Sequence, residues 1–294
     1  MIKYNIGGTM LILSATLIWG IGIVALSAGM NYMGPFTLTS VRFLIGGSCA
    51  LGPAIYFAKR YPERAESKGS LFWPFLLCGI VLCFSVILRQ FALVYTSVGR
   101  VVFISSLFVI IVPIAGIFFR RRVSRQVWGA VLISIFGMYF LGFYGGVSVN
   151  LGDVLAFFTA FAFAAHILLI NRFSKSKNIL ALASIQSFTA GFVSLVLALV
   201  FEEPSFGAIF EGLRYVLYAG IMSSFVAHIM QIRAQKTVDP AIASILFSME
   251  AVFATITGWL VLHQFLTPRE IVGCALLLAA VILAKLPFPQ RKIS

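Results

Sequence analysis

Five ionisable side chains lie inside long apolar stretches of this sequence, namely Arg42, Arg89, His166, His228 and Glu250. An ionisable residue inside a bilayer costs about 2.5 to 3.5 kcal/mol on insertion scales, so it is retained mainly where a partner, a cavity or a function compensates. These five positions are therefore the first places to expect binding or proton transfer.

The two arginines are predicted to lie towards the same membrane face. Arg42 is seven residues into its stretch, roughly 10 Å from the end, and Arg89 is four residues from the end of its own. A guanidinium pair facing a cavity can hold a carboxylate or phosphate through bidentate hydrogen bonds. The alternative is a structural arginine that reaches the interface or bonds backbone carbonyls, and the sequence leaves both roles open.

Glu250 is the leading candidate because it falls about ten residues into its stretch, near the bilayer midplane. A carboxyl group at that depth can exchange a proton during a transport cycle or pair with a substrate ammonium group. It can also be a permanently protonated or arginine-paired structural residue. His166 and His228 are predicted at matched depth nearer the opposite face, either as a proton relay or as hydrogen-bonded packing residues.

Aromatic side chains make up 14% of the chain, and most must face lipid or core. We expect Trp19, Phe84, Phe103 and Phe247 near a cavity, with ordinary packing as the alternative for each. An aromatic cavity with arginine at one end and Glu250 in the middle would suit a zwitterionic solute such as an amino acid.

Three residues are candidate hinges. Gly20 and Gly22 allow close approach of another helix, and Pro113 is expected to kink the fourth stretch because it frees a backbone carbonyl. Glycine and proline are also simply frequent in membrane helices.

Ten apolar stretches must position these residues. Each is long enough to cross a hydrocarbon core of roughly 30 Å, and a water-soluble protein would not combine 61% hydrophobic with only 11% charged residues. The stretches run Ile6 to Ala28, Phe36 to Phe57, Leu71 to Leu93, Val101 to Phe119, Val127 to Phe143, Leu151 to Ile170, Leu180 to Phe201, Leu213 to Gln231, Ala241 to Leu262 and Ile271 to Leu286.

The basic residues predict the orientation. Seventeen of the 22 Lys and Arg residues fall at the termini and in every second gap, whereas the opposite gaps hold only Arg100, Arg214 and Arg269. Basic loops remain in the cytoplasm, so both termini are predicted to be cytoplasmic. The net charge of +13 is explained by this topology beside anionic lipid, so we expect no nucleic-acid partner.

The second half of the chain resembles the first at an offset near 141 to 144 residues. Gly8-Thr9 corresponds to Gly152-Asp153, and Gly129 corresponds to Gly273. We therefore predict two repeats, 1–146 and 147–294, each of five helices. Because five is odd, the second repeat enters the membrane from the opposite side, which is the inverted architecture typical of secondary transporters.

The chain is similar to a known family in Trp19-Gly20, Arg42-Phe43, Tyr95-Thr96-Ser97, and the turns Val123-Ser124 and Leu266-Thr267 with their downstream glycines. Together these resemble the EamA-type members of the drug/metabolite transporter (DMT) superfamily, over essentially the whole chain. The resemblance implies ten helices in two repeats and transport of amino acids, nucleotide-related metabolites or other small solutes. It favours a structural role for Arg42. Glu250-Ala251 stands where a Glu-Pro pair is common.

We therefore expect an all-α integral membrane protein of the cytoplasmic (inner) membrane, acting as a secondary transporter of a small polar or zwitterionic metabolite. Export, exchange and proton coupling through Glu250 are the leading modes, with uptake of a nucleotide-related metabolite, or a membrane enzyme or lipid flippase, as alternatives. No ATP-binding motif, metal spacing or cofactor signature is visible, and the four cysteines lie inside helices. A functional monomer is expected, with a homodimer as the alternative.

Overall fold

The computed structural model describes residues 6–61, 72–120, 123–142, 149–175, 178–262 and 267–286, and every regular element in these ranges is a helix. Leu71, Phe143 and Leu266 of the sequence predictions lie outside them. Ten long helices, α1 to α10, follow one another as predicted, and one short helix, Phe206–Glu211, lies between the seventh and the eighth. They are α1 Ile6–Gly29, α2 Pro35–Arg60, α3 Phe72–Tyr95, α4 Val98–Ser105 with Phe108–Phe118, α5 Arg125–Gly142, α6 Leu151–Phe173, α7 Ile179–Phe201, α8 Leu213–Gln235, α9 Pro240–Phe247 with Met249–Leu262, and α10 Pro268–Lys285.

The described helices α1 to α9 are each long and apolar enough to cross a membrane. The tenth, α10, has 18 residues and carries Arg269, Glu270 and Lys285 in its first and last turns. Charges at the two ends of an apolar helix can reach the interfaces, so α10 fits the same layer as the others. The prediction of an all-helical, multi-pass membrane protein is confirmed.

Helix starts coincide with capping residues in the sequence. Asn150 and Asp153 form a reciprocal capping box that opens α6, and Thr267 and Glu270 form another that opens α10. In each box a side-chain oxygen accepts from a backbone N–H of the first turn, which would otherwise have no partner. These polar residues therefore set where the chain turns back into the membrane.

Two of the spans are interrupted near their middle. In α4 the break lies at Ser106 and Leu107, and in α9 it lies at Ser248. At each break a backbone hydrogen bond joins residues three apart instead of four. Val109 N–H donates to Ser106 O at 3.0 Å, and Ala251 N–H donates to Ser248 O at 3.1 Å. The serines are 142 residues apart in sequence, the same separation as the predicted repeat offset.

The α4 interruption lies apart from Pro113, and the kink expected at this proline stays a prediction. Pro113 lies inside the continuous helix Phe108–Phe118, six residues after Leu107. The first segment of the helix ends at the Ser105–Ser106 pair. Ser105 Oγ donates to the carbonyl of Val102 at 3.4 Å, and the backbone hydrogen bonds that follow include ones between residues three apart. The sequence predicted a bend at Pro113 and did not predict this interruption.

A third irregularity lies in α8, where Tyr218–Ala227 forms a π-helix between two α-helical segments. π-Helices inside α-helices are rare and frequently occur at functional sites. Here the irregular segment presents the carbonyl of Ser223 to the side chains of Trp19 on α1 and His228 on α8 itself. The consequence for the cavity is described below.

Polar contacts lie at both ends of the bundle, between the two halves of the chain at one end and between α6 and α8 of the second half at the other. At the end predicted to face outwards, Arg100 Nη2 lies 2.6 Å from Asp153 Oδ2. At the end predicted to be cytoplasmic, Asn171 Nδ2 donates to Gln235 O at 2.9 Å and Gln235 Nε2 donates to Ile167 O at 3.0 Å. All eight residues of Pro240–Phe247, the part of α9 nearest this end, are buried.

Candidate functional site

A cavity of about 80 Å³ lies at the centre of the bundle and is lined by α1, α2, α3, α4, α6, α8 and α9. Both halves of the chain therefore contribute to it. Seven of the nine side chains that the sequence analysis singled out as binding or coupling candidates line this single cavity: Trp19, Arg42, Arg89, His166, His228, Phe247 and Glu250.

The sequence predicts these groups at three separate depths in the membrane. In the structure they line one cavity. Arg89 reaches the cavity because α3 extends to Tyr95, so Arg89 is six residues, or about 9 Å, from the helix end. The long arginine side chain covers much of the remaining distance between its backbone and the cavity. The groups thus form one site rather than a series along the membrane normal.

Arg89 and Glu250 form an ion pair inside the cavity. Arg89 Nη2 donates to Glu250 Oε1 at 2.5 Å, and the two side chains retain 18% and 10% exposure. Glu250 lies in the first turn of the second segment of α9, directly after the break at Ser248. A carboxylate near a helix N-terminus is stabilised by the helix dipole, which adds to the attraction of Arg89.

Arg42 has no such partner. Its side chain lies on α2, the residue is only 4% exposed, and its guanidinium carbon lies 4.4 Å from the ring centroid of Phe43. Among the described residues it makes no hydrogen bond or ion pair. Arg42 therefore brings a buried positive charge to the cavity that no described protein carboxylate neutralises.

The two histidines are fixed by hydrogen bonds on different helices. His228 Nδ1 lies 2.9 Å from the carbonyl oxygen of Ser223, which can only accept, so this nitrogen donates. His166 Nε2 lies 3.3 Å from Gln186 Oε1. The π-helical carbonyl of Ser223 also accepts from Trp19 Nε1 at 3.1 Å, so one backbone group orients two cavity side chains.

Aromatic rings form one wall of the cavity. The rings of Trp19 and His228 meet edge to face with centroids 5.3 Å apart, and Trp19 and Phe247 are 5.8 Å apart. The ring of Phe43 packs against His228 from the other side at 5.8 Å. Such contacts hold the rings in fixed orientations, which suits a preformed site.

The cavity lining also includes residues that were not identified from the sequence, among them Gln90, Phe163, Ser223 and Gln231. Gln90 Nε2 and Gln231 Oε1 are buried without a hydrogen-bond partner among the described residues. Both glutamines lie inside apolar spans, where an amide is costly without a partner. That cost is the signal that could have identified them from the sequence.

Phe84 does not line the cavity, contrary to expectation. It is 59% exposed and continues an outward-facing stripe of α3 with Leu77 and Ile80, which are 45% and 49% exposed. Residues three and four apart share a helix face, so this stripe lies opposite the buried face of Cys83 and Val86. Phe84 is placed to contact lipid.

Phe103 lines a second, larger cavity of about 540 Å³ towards the predicted outer end of the bundle. Its walls come from the last part of α1, the first part of α4, α5, the second part of α9 and the start of α10, including Ser27, Trp259 and Glu270. The opposite end has the packed contacts of Asn171 and Gln235 described above. The larger of these two cavities therefore lies towards the predicted outer end.

Gly20 marks the closest approach of α1 to α9. A Cβ atom built on Gly20 would lie 2.6 Å from Cβ of Phe253 and 2.8 Å from the backbone nitrogen of Ala254. A Cβ on Gly22 would lie 3.5 Å from Ser223 Oγ, an ordinary contact. Both glycines lie within the continuous helix α1, so their role as hinges stays a prediction.

In chemical terms, the central cavity combines a buried ion pair, an unpaired guanidinium, unpaired amide groups and an aromatic wall. With neutral histidines, its lining carries one net positive charge, from Arg42 and Arg89 against Glu250. These groups can bind and orient a small polar solute.

The sequence matches the EamA-like transporter family twice, over residues 6–143 and 150–286. An uncharacterized transporter of Archaeoglobus fulgidus is 31% identical over 272 residues, covering 92% of this chain and 83% of the relative. The uncharacterized transporter YoaV of Bacillus subtilis is 22% identical and is matched over the full length of both chains.

A similar fold is present in a solved crystal structure that superposes with a TM-score of 0.79. The match covers 95% of this chain and 98% of the other at 19% identity. At that identity the likeness concerns the fold.

Proposed function

The chain belongs to the EamA-like transporter family of the DMT superfamily and is a multi-pass membrane transporter, and from this premise we propose that it moves a small polar or zwitterionic metabolite, an amino acid or a related compound, as an exporter or exchanger. The solute binds in the central cavity, and the energy comes from solute or proton gradients.

The observation that carries this proposal is the central cavity itself. It lies between helices from both halves of the chain, and it contains Arg42, Arg89 and Glu250 at depths where charges are costly. Transporters that work by alternating access place the solute between their two repeats near the bilayer midplane. The contact of Arg89 in the first half with Glu250 in the second supports the same arrangement.

The distribution of space supports an outward-facing state. The 540 Å³ cavity lies at the predicted outer end, whereas the first segment of α9 is buried at the other. In the proposed cycle the inverted repeats, 1–146 and 147–294, rock about the centre, and the interruptions at Ser106 and Ser248 allow the half-helices to move separately. The working unit is a monomer, with a homodimer as the alternative.

Glu250 is proposed to couple transport to protons. Proton binding to Glu250 would weaken its ion pair with Arg89. The protonation state of Glu250 would therefore control this contact between the two halves of the chain. Release of the proton would restore the pair. The cycle would then link a proton gradient to the movement of the solute.

The test is counterflow in proteoliposomes with radiolabelled amino acids, carboxylates and nucleotide-related metabolites, with and without a pH gradient. Saturable counterflow supports a transporter, and gradient-driven accumulation lost in Glu250→Gln supports coupling. Counterflow that survives this substitution, with accumulation also intact, refutes the coupling role. Absence of counterflow with every solute refutes the transport proposal in this form and favours a flippase or membrane enzyme.

A further inference from the structure

Arg42 is the buried charge that the structure leaves uncompensated. The residue is 4% exposed and lines the central cavity, and its guanidinium makes no hydrogen bond or ion pair with any described residue. Its contact with the ring of Phe43 is a cation–π interaction with a neighbouring residue. A guanidinium in this position is set to receive an anion from the cavity.

The acidic residues of the described part of the bundle are engaged elsewhere or lie away from the cavity. Glu250 is bound to Arg89, Asp153 to Arg100, and Glu202 to the first turn of α2. Glu250 is the only acid that lines the cavity. The anion that pairs with Arg42 must therefore come with the solute.

We infer that Arg42 binds the carboxylate of the solute and that the preferred solute is a small monocarboxylate without an ammonium group. This inference rests on the proposed transport function, keeps the small polar solute and replaces the amino acid by a monocarboxylate. A carboxylate matches the planar guanidinium through two parallel hydrogen bonds. The bound monoanion also brings the net charge of the cavity side chains from one positive to zero.

An ammonium group finds no free carboxylate among the described residues that line this site. It would have to compete with Arg89 for Glu250, whose Oε1 already accepts from Arg89 Nη2 at 2.5 Å. A zwitterion would also leave the lining with its net positive charge. The site therefore selects against amino acids of the same size.

The remaining polar groups suggest a hydroxyl or carbonyl on the solute. Gln231 Oε1 accepts hydrogen bonds and Gln90 Nε2 donates them, and both are without a described partner. A cavity of about 80 Å³ has room for only a few water-sized groups, since a single water needs at least about 10 to 15 Å³. Small hydroxy or keto acids of three to five carbons have this size.

L-Lactate and L-alanine provide a matched pair of probes, because they share a three-carbon carboxylate skeleton. L-Lactate carries a hydroxyl group at the position where L-alanine carries an ammonium group. Binding of radiolabelled L-lactate to purified protein and counterflow in proteoliposomes are measured for the wild type, Arg42→Gln and Arg42→Lys. Arg214→Gln is the control, since Arg214 is exposed, and its hydrogen bond and cation–π contact within the described part of the chain are with its neighbour Tyr215.

The wild type is expected to bind and exchange L-lactate at least tenfold better than L-alanine. Arg42→Gln should lose at least tenfold in L-lactate affinity, Arg42→Lys should be intermediate because it keeps the charge but loses the planar fork, and Arg214→Gln should match the wild type. If Arg42→Gln does not fold, as judged by size-exclusion chromatography, Arg42→Lys decides.

Two results overturn the inference and leave transport intact: L-alanine exchange equal to or better than L-lactate, or exchange of any solute that is unchanged in both Arg42 variants. If a solute outside the carboxylates proves to be the substrate, the inference is likewise wrong. Failure of every solute in the panel, including nucleotide-related metabolites, removes the transport proposal on which the inference rests.

Discussion

Arg89 on α3 and Glu250 on α9 form an ion pair at 2.5 Å that joins the first half of the chain to the second at the central cavity. The pair leaves Arg42 as the remaining cation of the site. Glu250 carries a charge, lines the cavity and lies directly after the helix break at Ser248.

Glu250→Gln should destabilise the protein, because it leaves Arg89 beside Arg42 without a carboxylate. Removing one partner of a fully buried pair costs about 3 to 5 kcal/mol. Arg89 keeps 18% exposure, so we expect about 2 to 3 kcal/mol in the free energy of unfolding. Equilibrium unfolding in mixed detergent and SDS micelles measures it.

The double variant Arg89→Gln/Glu250→Gln is the control for this prediction. Loss of both charges removes the unpaired cation, so the double variant should be more stable than Glu250→Gln alone. A double variant that loses the full sum of the two single effects would show that the pair does not couple the two residues.

The positions of the ten helices could be predicted from the sequence because apolar length is a strong signal, and most helix ends moved by a few residues. The interruption of α4 at Ser106 was not predicted, because proline is only one cause of a helix break and Pro113 lies further along the helix. Ser106 and Ser248 break their helices through local backbone bonds, which produce no change in hydropathy.

The site could be predicted in part. Ionisable residues inside apolar spans identified Arg42, Arg89, Glu250 and both histidines, because such residues are costly in lipid. The pairing of Arg89 with Glu250 depends on how α3 meets α9, which no local pattern encodes. Phe84 was misplaced because a phenylalanine suits lipid and a cavity wall equally.

Gly20→Ala should destabilise the contact between α1 and α9. The new Cβ would lie 2.6 Å from Cβ of Phe253 and 2.8 Å from a backbone nitrogen, so the helices must separate. Overpacking of this kind costs about 1 to 3 kcal/mol. The measurements are the unfolding free energy and the counterflow rate, and both should fall.

Gly22→Ala is the matched control on the same helix. Its Cβ would meet Ser223 Oγ at 3.5 Å, and alanine favours a helix over glycine by up to about 1 kcal/mol. Gly22→Ala should therefore be as stable as the wild type or slightly more so. Equal losses in the two variants would contradict the packing argument.

Glu202→Gln should weaken the start of α2. Both carboxylate oxygens of Glu202 accept from backbone N–H groups, those of Phe36 and Thr37, each at 2.8 Å, and Oε2 also accepts from Thr37 Oγ1 at 2.6 Å. The amide loses one acceptor and the charge that suits a helix N-terminus, at a cost of about 1 kcal/mol. Glu203→Gln is the control, because Glu203 is the exposed neighbour, and it should leave the unfolding free energy unchanged. A similar loss of unfolding free energy in both variants would mean that the effect comes from net charge and not from the contacts of Glu202.

Cysteine accessibility tests both the predicted orientation and the outward-facing state. In a background without the four native cysteines, Ser27→Cys places a thiol in the 540 Å³ cavity, and Ser244→Cys places one in the buried first segment of α9. A charged, membrane-impermeant maleimide added to whole cells should label Ser27→Cys and spare Ser244→Cys, because only the first thiol is connected to the predicted outer face. The reverse pattern would mean that the basic loops face outwards or that the opposite side is open in the membrane.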